Sequence, residues 1–202
     1  MKTLALCAVL SALSVPVSLF ASRVDQDPQP TPQEVSAMME KAKRFVQPGP
    51  SHRQLERFVG EWTTETRLTM GGKASPAEAG TASGSWLMPG RWLRLAGSGR
   101  MMGMAVETFH VLGYDNFKQS FVTTTVTSVD TAMLRAEGDL TPDGKALITY
   151  GTLDEYLTGE HDKMVRYVWR FLGDDEFVLE IHDLPIGEVD TKVVETRFLR
   201  KR

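Results

Sequence analysis

Four histidines are the first residues that could do chemistry: His52, His110, His161 and His182. A zinc-type centre needs several nitrogen, sulfur or carboxylate donors that converge on one point. None of the four has a second His or a carboxylate at a helical or hairpin ligand spacing. His161 and Asp162 are neighbours in a turn, where two adjacent residues rarely hold an ion without distant help. No metal site is therefore read. The stretch "MMGMAVETFHVLGYDNF", residues 101–117, concentrates polar groups in an apolar setting. Glu107 and His110 lie three apart, which on a strand puts them on opposite faces, so they cannot act as joint ligands. Gly113-Tyr114-Asp115-Asn116 reads as a turn whose Asp and Asn bond to their own backbone. Gly103 lets the chain bend as its strand enters turn geometry. No Ser stands in a nucleophile elbow: "GSW" at 84–86 and "GSG" at 97–99 lack the second glycine spacing. "GSGRMMG" lacks the strand-to-helix context of a phosphate loop.

The chain that would position these residues divides into four parts. "MKTLALCAVLSALSVPVSLFAS", residues 1–22, has a basic start at Lys2, an apolar run and small residues at Ala21 and Ser22. It reads as a secretory signal peptide, and the protein is expected to be exported to the periplasm or beyond the cell. Pro16 and several serines weaken the alternative of a membrane anchor. Cleavage would remove Cys7, the sole cysteine, and with it any disulfide or thiolate chemistry. Residues 23–31 form a Pro/Gln/Asp linker. Residues 32–50 hold an amphipathic helix and its stop. Thr31 is expected to cap it, with Pro32 in the first turn and Glu34 completing a capping box. Val35, Met38, Met39, Ala42, Phe45 and Val46 form its apolar stripe, and "PGP" ends it. The spacing of Ser51 and Gln54 predicts a second box on a short helix that Gly60 ends.

From residue 51 to 202 the sequence reads as one β-domain. About ten strands of 8–12 residues alternate with short polar turns such as Thr141-Pro142-Asp143-Gly144, a type I pattern. A meander of this length predicts a closed antiparallel barrel, which leaves no strand edge. Trp62, Thr64, Thr66 and Leu68 share one face of the first strand, which is taken as inward. Net charge is −3 and the pI is about 5.8. There is no basic stripe, so nucleic acid is not an expected partner.

"HRQLERFVGEWTTETRL", "GSWLMPGRWLRLAGSGRMMGMAVETFHVLGYDNF", "GDLTPDGKAL" and "ETRFLRK" resemble the uncharacterised bacterial family called domain of unknown function 1579. The most specific piece is Met102-Gly103-Met104 followed by Gly113-Tyr114-Asp115. Gly60-Glu61-Trp62 makes the family similar to the calycins, the lipocalin and fatty-acid-binding barrels. The resemblance implies a calycin-like barrel with a short helix before its first strand. It also implies that Trp62 closes one barrel end beneath a last-strand Arg, with Arg200 the better match and Arg197 the alternative. It carries no catalytic residue. Where related sequences place a Trp and an Asp late on the fifth strand, this chain has threonines, with Asp130 several residues further on.

The resulting expectation is a binding barrel for a small, largely apolar molecule. Its lumen would be lined by Trp62, Thr64, Thr66, Trp92 or Arg94, Thr124, Tyr150, Tyr167 and Trp169. No cofactor is read. Haem on one axial His is the alternative, because a related barrel class holds haem that way, and His182 is its candidate. Two other readings differ in class. One is an isomerase, cyclase or hydrolase using Glu107, His110 or Arg94 in the barrel mouth. The other is a structural protein whose helix at 32–46 docks a protein partner. No stable membrane insertion is expected after cleavage.

Overall fold

The computed structural model describes residues 29–155, 159–184 and 191–202. The expected signal peptide and most of the linker lie outside the described residues. Contacts divide the chain after Glu40, inside the first helix, so that Lys41 onward forms one compact unit.

Helix α1 (Pro32–Val46) begins as its sequence predicts. The Thr31 amide donates to Glu34 Oε2 at 2.8 Å, and the Glu34 amide donates back to Thr31 Oγ1 at 3.3 Å. These bonds satisfy two amides that a helix start would otherwise leave unpaired. They also hold the Glu34 carboxyl below its ordinary pKa. No residue of α1 is buried. The second helix starts earlier than predicted. Helix α2 (Pro50–Arg53) opens at Pro50 and runs into a 3-10 turn, Gln54–Phe58. The expected Ser51–Gln54 box gives way to His52, whose Nδ1 accepts from the Gly49 amide at 3.0 Å. Proline at the first helical position, with its φ already helical, moves the start forward.

The wall consists of β1 (Gly60–Met70), β3 (Glu78–Met88), β4 (Trp92–Met101), β5 (Met104–Asp115), β6 (Ser120–Thr127), β7 (Leu134–Leu140), β8 (Ala146–Glu155), β9 (Glu160–Phe171), β10 (Glu176–Asp183) and β11 (Lys192–Arg200). A two-residue β2 (Lys73–Ala74) folds back on the end of β1. Each wall strand pairs antiparallel with the next, and β11 pairs with β1, Trp62 opposite Arg200 and Thr66 opposite Thr196. This is the closed ten-stranded meander expected of a calycin-like barrel.

Alternation decides which side chains enter. On β4, Leu93 and Leu95 are buried while Arg94 is exposed. On β5, Val106, His110 and Leu112 are buried, and Glu107 lies on the opposite face. The turn after β5 begins later than the sequence suggests: Gly113 and Tyr114 still pair within the strand, which runs to Asp115. Asp115 Oδ1 does accept from the amides of Phe117 and Lys118 at 2.8 and 3.1 Å, but Asn116 Nδ2 donates to Gln47 O at 2.7 Å and not to its own backbone. The Gly144 amide donates to Thr141 O at 2.8 Å, with Gly144 at φ 66°.

The 3-10 turn fills one end of the barrel. Phe58 meets Trp169, Phe171 and Phe177 edge-on, with ring centroids 5.2–5.3 Å apart. Trp62 meets Phe177 at 4.8 Å, and Phe177 stacks on Phe198 at 4.3 Å. Such pairs add about 0.5–1.5 kcal/mol each beyond the area they bury. The turn sits directly on β3: a Cβ on Gly84 would lie 1.8 Å from Phe58 O. Gly60, at φ 134°, likewise leaves room for the Arg200 guanidinium.

Candidate functional site

Trp62 shows how the closed end is locked. It is fully buried, and its Nε1 donates to Phe58 O at 3.1 Å. Arg200 Cζ lies 4.2 Å from the Trp62 ring centroid. Arg200 Nη1 donates to Val59 O at 2.8 Å, and Nη2 to Asp174 O at 2.9 Å. One guanidinium therefore ties the first strand, the last strand and the β9–β10 turn together. Arg197, the alternative, instead pairs with Glu176 at 2.7 Å.

Above this aromatic layer the barrel is hollow. A cavity of about 150 Å³ is bounded by Thr64 and Thr66 of β1, Val106, Thr108 and His110 of β5, Thr125 and Thr127 of β6, Tyr167 of β9, Leu179 and Ile181 of β10, and Val194, Thr196 and Phe198 of β11. The β4 wall contributes Gly97 and Gly99, whose missing side chains leave space. Threonine suits the task twice over. Its branched Cβ favours the strand, and its small volume leaves a void where Phe or Leu would fill it.

His110 is the polar centre of this wall. It is 6 % exposed and lies 5.3 Å, edge-on, from Trp169. Its Nδ1 bonds to Thr125 Oγ1 at 2.7 Å. Burial lowers its pKa to about 4, so the imidazole is neutral at physiological pH. Tyr167, 5 % exposed, has its phenol pushed up to about 12 by burial, with the charges of Asp130 and Asp183 adding to it. Lys163 and Asp183 form an ion pair of 2.8 Å. Two atoms of the sealed core, Trp169 Nε1 and Thr149 Oγ1, have no hydrogen-bond partner among the described residues.

The structure sorts the residues chosen from sequence. Thr64, Thr66 and Tyr167 line the cavity. Trp62 and Trp169 face inward but belong to the packed layer that closes it. Arg94, Thr124 and Tyr150 do not line it. Arg94 is exposed and donates from Nε to Ser85 Oγ at 2.9 Å. Thr124 lies between the inward Thr123 and Thr125. Tyr150 is 46 % exposed, and its neighbour Thr149 takes the inward place. Trp92, one residue before Leu93, packs on Gly113, where a Cβ would come within 2.2 Å of its ring.

Sequence reasoning did not assign His110 a side, and it missed Thr108, Thr125, Thr127 and Thr196. Cross-strand pairing could have supplied the signal. Leu95 pairs with His110 and Thr125 pairs with His110, so all three share one face.

The remaining histidines stand apart. His182 belongs to a cluster outside the cavity lining, with Nε2 3.8 Å from Glu180 Oε2 and Nδ1 3.3 Å from Thr191 Oγ1. Burial and the Arg166 guanidinium lower its pKa. It is not placed to ligate a group in the lumen. His161 is exposed beside Asp154 at 3.3 Å. Among the described residues, no three of His, Cys, Asp or Glu gather as a metal ion would require. No described helix is long and apolar enough to cross a membrane. Glu107 lines a shallow hollow on the outer wall with Glu61 and Ser128. The sheet thus separates Glu107 and Arg94 from His110, and the three are not brought together.

Comparison with known proteins agrees with this architecture. The model of a family described as "Protein of unknown function (DUF1579)" matches residues 47–200. The fold is similar to that of Rv2717c from M. tuberculosis, at 11 % identity and a TM-score of 0.57, over 77 % of this chain and 100 % of that one. It is also similar to the S-type phycobiliprotein lyase CPES from Guillardia theta, at 11 % identity and a TM-score of 0.51, over 79 % and 96 %. At these identities the likeness is one of fold. No curated protein matches the sequence.

Proposed function

We propose that this chain, which belongs to the DUF1579 family, is an exported binding barrel that holds a small, largely apolar molecule in its lumen. The observation that carries the reading is the division of the barrel interior. One end is filled by aromatic rings, and the other keeps a cavity of about 150 Å³ walled by Thr, Val, Leu and Ile around a neutral histidine. An apolar hollow with a few convergent polar groups is how proteins hold small molecules. An empty hollow forfeits packing that a filled core would gain. Export rests on the basic, apolar and small-residue order of residues 1–22.

Native mass spectrometry of the mature protein from an exporting host tests the binding reading. The expected result is an adduct that organic solvent removes and that an apolar fluorescent probe replaces. A bare chain that takes up no apolar probe would overturn it. Sequencing the N-terminus of the same sample tests export. Cleavage near Ala21 or Ser22 is expected, and an intact Met1 in the exported fraction would point to an anchor instead.

A further inference from the structure

We propose that the lumen takes an uncharged, single-ring-sized molecule carrying one hydroxyl group, and that this hydroxyl bonds to His110. The inference rests on the reading of the lumen as a ligand site and narrows it to a chemical class.

Size comes first. A cavity of about 150 Å³ is at the scale of the engineered cavities that accept benzene, and well below the roughly 300–1,000 Å³ that drug-sized ligands occupy. A ligand that fits wholly inside is therefore a single ring with short substituents. Long acyl chains and macrocycles are too large to lie wholly inside.

Charge comes second. The cavity wall holds no Asp, Glu or Lys side chain. Arg100 borders it, but this residue is exposed, and its guanidinium, with Nη2 donating to Gly103 O, keeps its charge in solvent at the edge of the cavity. Lys163 and Asp183 already neutralise each other. A carboxylate or ammonium buried beside His110, away from the exposed Arg100, would be desolvated without a counter-ion, which strongly disfavours binding. His110 supplies no charge either, since it is neutral at neutral pH.

The head group comes third. Nδ1 of His110 is occupied by Thr125 Oγ1. Nε2 has no protein hydrogen bond among the described residues, while the ring borders the cavity. A neutral imidazole bonded through one nitrogen presents the other as a donor or as an acceptor, according to its tautomer. A hydroxyl satisfies both cases, because it donates and accepts. Of the threonine hydroxyls, Thr66 Oγ1 and Thr196 Oγ1 lie 3.0 Å apart and satisfy each other. The free nitrogen of His110, on a side chain only 6 % exposed, is the anchor assigned here, and the Val and Leu side chains receive the ring.

Three probes with one ring and different heads test this: p-cresol, toluene and p-toluate, titrated at pH 7 by calorimetry into the mature protein. The expected order is p-cresol tightest, toluene roughly three- to tenfold weaker for want of the hydrogen bond, and p-toluate without measurable binding. His110→Phe should bring p-cresol to the level of toluene and leave toluene unchanged. His110→Gln, which keeps a neutral hydrogen-bonding head, should retain part of the preference and serves if the Phe variant does not fold. Binding of p-toluate as tight as p-cresol overturns the uncharged head. A p-cresol preference that survives His110→Phe overturns the anchor. If all three probes fail while a long-chain lipid binds, the size argument falls and the lumen reading stands. If no apolar probe of any size binds, the lumen reading itself fails.

Discussion

The two ends of the barrel are built on the same strands and do opposite things. Along β1 the inward positions run Trp62, Thr64, Thr66. Along β11 they run Phe198, Thr196, Val194, and along β5 Leu112, His110, Thr108. Each strand passes from a large apolar side chain at the helix-capped end to a small β-branched one at the cavity. Backbone pairing is continuous along these strands. The hollow is therefore made by side-chain volume alone. The comparison teaches that stability and cavity can be separated on one sheet, provided that the space-making residues remain good strand formers. Three tests bear on this division.

The largest effect is expected at Trp62. It is fully buried, bonded through its indole to Phe58 O and covered by Arg200. Trp62→Ala should cost about 3–5 kcal/mol through lost burial and the void it leaves. Urea denaturation followed by circular dichroism measures this. Thr64→Ala, two residues along the same face, should cost much less because it removes few packed atoms. If Trp62→Ala melts like the parent protein, the aromatic end is not what holds the barrel closed.

The second effect is a pH dependence centred on His110. Its folded pKa is about 4 against an ordinary value of 6.5. Between these values the unfolded chain binds a proton that the folded chain refuses. Stability therefore falls as pH drops from about 6.5 to 4, by roughly 3 kcal/mol from this group. The contribution is fully present above pH 6.5. Carboxylates also titrate below pH 5, so the quantity to measure is the difference between the parent and His110→Phe. The variant should lose less stability over pH 7 to 4. Equal slopes would mean that His110 is not sealed in the wall, and the polar centre of the open half would lose its meaning.

Most of the frame was readable before the structure, and the reason is local. Strands alternate, turns carry Asp, Pro and Gly, and the Thr31–Glu34 box starts α1 where its residue types require. Gly60-Glu61-Trp62 marks the closed end. The cavity was harder to read because it depends on parity strand by strand. On β6, "FVTTTVT" offers β-branched residues on both faces, so its composition does not distinguish Thr124 from Thr123 and Thr125. Tyr150 attracts attention as an aromatic, yet Leu147 and Thr149 define the inner face of β8. Arg94 was legible after all, since Leu93 and Leu95 flank it. The volume left over is a property of ten strands together, which no single segment contains.

The smallest effect separates two kinds of inward threonine. Thr66 keeps its hydroxyl within 3.0 Å of Thr196 Oγ1 and borders the cavity. Thr149 is 0 % exposed, pairs across the wall with Gly138 and Tyr167, and has no partner for its Oγ1 among the described residues. A buried hydroxyl without a partner forfeits its hydration and gains nothing in return, at a cost of about 1–3 kcal/mol. Valine has nearly the same shape without that cost. Thr149→Val should therefore raise stability, by about 1 kcal/mol after allowing for local relaxation. Thr66→Val should leave stability unchanged or lower it by a similar amount, because Thr196 then loses its partner. Paired urea melts of the two variants give the sign directly. If Thr149→Val destabilises, its hydroxyl is in use, and the sealed half would contain a polar contact at a point where the packing leaves it none.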